Sequence, residues 1–246
     1  MLDPSGAVVS AATVTAKNLD TGFTRTSISS ATGRYDFFSL PLGTYEVRAG
    51  KAGFSEEIRT AISLVVGQDA VVDLHLRVGA ASEQVTVTGN AASVNASTQD
   101  ISGLVGERQI KDLPLNGRSY DLLLTLNPGV VNFTSQKTGG IGVSNSTTGN
   151  NFSVSGNRPQ QNIFLLNGVE FTGAAENNMQ PGGSSQQLLG IDGVREFNLL
   201  RDSYDATYGK HPGGQVVIVT QSGTNGFHGS AFEFLPNNAL DAPNFF

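Results

Sequence analysis

The sequence predicts a mainly β chain in two parts, a β-sandwich followed by an α+β unit. Three observations point there. Segments rich in β-branched and aromatic residues recur between turn signals at Gly22, Gly33, Gly43, Gly53 and Gly67, near the spacing of about 8–12 residues expected of a sandwich. Only 15% of residues are charged while 30 are Gly, a composition that favours short strands and many turns over helical bundles. Beyond residue 101, short helical patterns mix with strands and long Gly/Asn tracts.

Residues 1–80 carry the first unit. "ATVTAKN", "TRTSISS", "YDFFSL", "TYEVRAG" and "VVDLHLRV" are strand-length. In the last, Val72, Leu74, Leu76 and Val78 alternate with Asp73, His75 and Arg77, so one face is expected buried and the other wet. Residues 81–100, "ASEQVTVTGNAASVNASTQD", read as a linker holding one β-prone run at Val85–Val87. Composition alone leaves two readings of that run. It is incidental propensity in a linker, or an exposed strand whose N–H and C=O groups add to a partner's sheet edge.

The second unit occupies residues 101–225. In "GERQIKDLPLNGRSYDLLLTLNPGV" the apolar positions Ile110, Leu113, Leu122, Leu123 and Leu126 suggest short helices broken at Pro114 and stopped before Pro128. Strands are expected at "NFSVSG", "NIFLLNGVEF", "VREFNLL" and "GGQVVIVTQSG", with Asn167-Gly168 as a two-residue hairpin turn.

Chemistry-bearing patterns are sparse. The chain has no Cys, which excludes disulfides, thiolate zinc sites and Fe–S clusters. Its three histidines, His75, His211 and His228, stand apart without ligand-spaced partners. There is no nucleophile elbow and no H-E-x-x-H, and Gly209-Lys210 is followed by His211 where a P-loop needs Ser or Thr. No enzyme activity and no cofactor are expected. A net charge of -6 without a Lys/Arg cluster argues against nucleic acid.

"SGAVVSAATVTAKN" followed by "TGRYDFFSLPLGTYEVRAGKAGF" resembles the carboxypeptidase regulatory-like domain, a transthyretin-like sandwich of the carbohydrate-binding-like superfamily. The resemblance implies that Tyr35 and Phe37 enter the core and that Tyr45 and Val47 lie on the returning strand. Met1 is expected inside that domain, because the strand that usually precedes "DPSGA" is missing.

The second unit resembles the plug domain of TonB-dependent outer-membrane transporters, the Oar-like group in particular. The resembling stretches run in order: "EQVTVTG", "IKDLPLNGRSYDLLLTLNPGV", "FSVSGNRPQQNIFLLNGVEF" and "IDGVREFNLLRDSYDATYGKHPGGQVVIVTQSGTNGFHGSAFEFLPNNALDAPNFF". What this implies is a plug that gates energised uptake through an outer-membrane barrel, with the N-terminal domain facing the periplasm and a small substrate of unspecified class. An inner-membrane TonB protein is the implied partner, and Glu83, Gln84, Val85, Thr86, Val87, Thr88 and Gly89 are the candidate TonB box. Arg118 and Arg158 fall where the family commonly has Arg, with roles divided between bonding loop carbonyls and contacting barrel carboxylates. Asn167-Gly168 stands where the family more often has Asp-Gly. The alternative is a soluble carbohydrate-binding or plug-only interaction module; with no Trp in the chain, the carbohydrate reading rests on the superfamily alone.

"AFEF" within residues 226–246 places Phe232 and Phe234 around Glu233, the alternation of a barrel strand facing lipid on one side. The expectation is the first strand of a barrel cut off from the rest. A barrel of about 22 strands at roughly 10 residues each is far longer than this tail, so the fragment alone transports nothing.

Overall fold

Alternation of small apolar and polar residues in "TVTAKN" produces the first strand of the first unit. Val14, Ala16 and Asn18 point into the protein and their neighbours outward. The computed structural model describes residues 1–79, 84–88, 101–113, 115, 119–132, 151–171, 190–202, 206, 208–227 and 229. Five strands form the first sheet: β1 (Thr13–Asn18), β2 (Thr24–Ile28), β3 (Gly43–Gly50), β4 (Glu56–Leu64) and β5 (Gln84–Thr88), in the order β2-β1-β3-β4-β5. All neighbours are antiparallel except β4 and β5, which run parallel.

The opposite layer is irregular. "YDFFSL" makes no strand, and "VVDLHLRV" contributes only single bridges, His75 to Leu2 and Val78 to Phe54. Both differ from the strands that their composition predicts. Ser39 at φ 55 breaks the extended path of the first, and Pro41 beyond it has no N–H for a ladder. The burial logic nevertheless survives. Tyr35, Phe37 and Val72 pack half-buried on the core, while Leu74 and Leu76 are fully inside. Tyr45 and Val47 on β3 are buried too. Val78, expected inward, is 77% exposed because the run turns away to meet Phe54. His75 is exposed.

The second unit is built on a sheet of β6 (Ile101–Val105), β9 (Ile163–Leu166), β10 (Val169–Glu170), β11 (Val194–Asp202) and β12 (Gln215–Thr220), ordered β10-β9-β12-β11-β6, with β9 and β12 parallel. A two-stranded pair, β7 (Val130–Asn132) and β8 (Phe152–Val154), lies beside it. Helix α1 (Glu107–Asp112) and a 3-10 segment at Tyr120–Leu126 answer the expected short helices. They bury Ile110, Leu123 and Leu124 against Phe197, Leu199 and Ile218. Strands β4 and β6 have no counterpart among the expected elements, because "EEIRTAISL" and "ISGLV" mix charged, small and apolar residues without a clear period.

One backbone approach fixes β6. A Cβ on Gly103 would lie 1.5 Å from Oδ1 of Asn127, a buried residue whose Nδ2 donates to the Leu124 carbonyl. Gly103→Ala should therefore lower stability in urea unfolding by about 1–3 kcal/mol, the usual cost of overpacking. Gly223→Ala, where nothing lies within 4 Å, should leave the midpoint unchanged.

Candidate functional site

The β-prone run at residues 85–87 is part of β5. Its five residues pair in parallel with β4 in the register Glu56–Gln84, Glu57–Val85, Ile58–Thr86, Arg59–Val87 and Thr60–Thr88. Two parallel neighbours in one sheet need a crossover connection. Here the chain leaves β4, passes through the turn at Val66-Gly67 and returns along the opposite layer, where Leu74 and Leu76 anchor it in the core. β5 ends the sheet, and among the described residues no strand lies on its outer side. Thr86 is exposed. Glu83 and Gly89, the ends of the candidate segment, lie outside the described residues, as do Arg118 and the tail after residue 229.

The two units meet across β11 and β12. Phe197, Leu199, Val216 and Ile218 face the second unit's own core. The alternate positions, Leu200, Val217 and Val219, face the other way and form a second apolar cluster with Val66 and Leu42 of the first unit. Polar groups frame it. Glu196, 6% exposed, accepts the Val66 N–H at 2.5 Å. Asn198 Nδ2 donates to the Val66 carbonyl at 3.4 Å, and Arg195 Nη1 to the Leu42 carbonyl at 3.3 Å. Gly67, at φ +70, completes the fit, since a Cβ there would stand 2.7 Å from Asn198 Nδ2. A further clasp joins Asn225, whose N–H and Nδ2 donate to the carbonyls of Asp20 and Thr21.

Beside this junction is a shallow cleft of 380 Å³ lined in part by Asp20, Glu107, Arg195, Gln221 and Phe227. Glu107 is already engaged there: it pairs with Lys111 at 2.6 Å and accepts from Gln221 Nε2 at 3.0 Å. Among the described residues no group of His, Asp and Glu is placed to hold a metal ion.

Asn167 and Gly168 occupy the β9–β10 turn with φ 50 and 82, both in the left-handed region, and Leu166 pairs with Val169 across it. This is the geometry of a type I′ hairpin. The Asn167 side chain also bonds Thr220, its Nδ2 donating to Oγ1 at 3.0 Å and its Oδ1 accepting from the backbone N–H at 3.1 Å and from Oγ1 at 3.3 Å, which fastens the hairpin to β12. Arg158 is exposed, and its backbone N–H donates to Gln161 Oε1. It is remote in sequence and contact from β5 and from the junction.

Residues 2–77 match the carboxypeptidase regulatory-like domain family, and residues 219–246 match the outer membrane beta barrel domain family. Over 216 residues, 85% of the chain, the sequence is 27% identical to the TonB-dependent transporter Oar of Myxococcus xanthus. The chain is a homologue of a TonB-dependent transporter. It spans 18% of that relative's length, and the relative is a transporter rather than an enzyme.

The junction residues Val66, Arg195, Glu196 and Asn198 carry no motif that marks them in the sequence of this transporter homologue. A signal exists in "QVVIVT": a continuous apolar run belongs to a strand buried on both faces. Burial pushes the Glu196 carboxyl above its ordinary value of 4.5; the Val66 N–H and the Arg195 charge pull it back only in part, and the Glu107 charge adds to the rise. The folded chain therefore holds the Glu196 proton to higher pH than the unfolded chain. Stability from this group is full below the unfolded value and falls as pH rises through the raised folded value. Glu196→Gln should flatten that fall in unfolding measured between about pH 4 and 8, because Gln keeps the acceptor for Val66. Glu196→Ala should cost roughly 1–3 kcal/mol at acid pH, where it leaves the Val66 N–H buried without this acceptor, and less as pH rises.

Proposed function

We propose that the chain is the periplasm-facing part of an outer-membrane receptor/transporter. In this reading the unit at residues 101–225 is the plug that gates a barrel, and Gln84–Thr88 is the strand that an inner-membrane TonB protein captures. One observation carries the reading: in a chain related to a transporter over 85% of its length, the β-prone segment preceding the second unit is, among the described residues, an extended edge strand. An edge strand offers a row of backbone donors and acceptors that another extended chain can pair with, whatever its side chains.

Position gives the capture a consequence. β6, the first described element after β5, ends the second sheet, and among the described residues it pairs with β11 alone. A pull that passes along the chain from β5 meets β6 next, and stripping β6 from β11 would open the second sheet from one side. Exposed Arg158, together with Arg118, would contact acidic side chains of the barrel wall, where a guanidinium forms paired hydrogen bonds with a carboxylate. The polar Gly/Asn/Ser/Thr loops of the plug suit a water-filled lumen.

Titration of the TonB C-terminal domain with a peptide spanning Ala80–Ala92 tests the assignment. Saturable binding is expected, and Val87→Pro in that peptide should reduce it at least about tenfold, because proline removes a ladder N–H. Failure of both this peptide and the whole chain to bind removes Gln84–Thr88 as the captured strand.

A further inference from the structure

Resting on that reading, we propose that the N-terminal sandwich presents β5 to its partner: the captured strand stays paired with β4, the partner's strand adds to its outer edge, and sandwich and partner become one continuous sheet. Four observations lead there. β5 is already extended over five residues and in register with β4. Among the described residues it closes the sheet, so its outer edge is the one that continues it. Its neighbour β4 is set deeply, with Glu57, Ile58 and Ile62 buried and Arg59 paired to Glu57 at 2.9 Å. The sandwich as a whole is fastened to the second unit through Val66 and Leu42. A strand bound on one side has lost most of its conformational freedom before the partner arrives. The occupant that fits such an edge is another extended backbone, since only that supplies donors and acceptors at the spacing of a ladder.

Presentation and sequestration make opposite predictions. If β5 is presented, the intact chain binds the TonB C-terminal domain more tightly than the free Ala80–Ala92 peptide by at least about tenfold, the ordering cost having been met in advance. If β5 is sequestered, the chain binds more weakly than the peptide.

The absence of cysteine from the chain allows a direct lock. Thr60→Cys with Thr88→Cys places two thiols at paired positions of β4 and β5, and mild oxidation of the folded double variant should join them. The oxidised chain is expected to bind the TonB domain as tightly as the unsubstituted chain. Loss of binding on oxidation, regained on reduction, overturns the proposal, because capture then requires β5 to leave β4. It is equally overturned by thiols that fail to join in the folded chain, or by a chain that binds no more tightly than the peptide. Failure of both peptide and chain to bind is a different result and sinks the partner-strand reading itself.

Discussion

Glu196 occupies a strand position that would ordinarily face water, and it is buried because the Val66 turn of the first unit lies on top of it. Removing a carboxylate from water is costly unless its lone pairs are used. Here one of them takes the Val66 N–H, while the Asn198 amide takes the Val66 carbonyl. A single turn of the sandwich is thus bonded through both its backbone groups to two alternate residues of one strand. Around that polar pair, Leu200, Val217 and Val66 exclude water. The interface turns β11 and β12 into strands covered on both faces and makes the sandwich a fixed neighbour of the second unit.

The placement of β5 depends on that fixture. The crossover from β4 to β5 starts at Val66, so the residue pinned against Glu196 is also the one that launches the chain toward the candidate strand. β4 is central enough to be buried, and β5 rests beside it as the last strand. A sandwich swinging freely would deliver β5 anywhere within reach of its linkers. Fastened, it offers one edge at one place, next to the unit whose own edge strand β6 comes next in the chain. In the proposed function, capture of β5 and opening of the second sheet would be linked by sequence order, since β6 follows β5 in the chain.

The regular parts of both sheets were legible because their periods are plain. "TYEVRAG" alternates, "VREFNLL" and "GGQVVIVTQSG" are β-rich between Gly or polar stretches, and Asn167-Gly168 names its own turn. Misses have physical causes. "YDFFSL" has strand-like residues, yet a positive φ at Ser39 and the proline at position 41 prevent a ladder. "EEIRTAISL" hides a strand because Glu57 is buried and bonded both to Arg59 and to the His75 N–H, so a charge stands where an apolar residue would mark the face. Glu196 and Asn198 were obscure for the same reason. A polar residue in a strand reads as solvent-facing until another unit arrives to cover it, and periodicity within one strand carries no record of that visitor.

A strand held by the sandwich and offered at its free edge should register the partner on one side only. Amide hydrogen exchange of the whole chain, alone and with saturating TonB C-terminal domain, reads both sides at once. Amides of Glu56–Thr60 are expected to keep their protection on binding while those of Gln84–Thr88 gain it, as the edge strand becomes an internal one. Loss of protection along Glu56–Thr60 as the partner binds would show β4 being uncovered, and would contradict presentation of β5 by the sandwich.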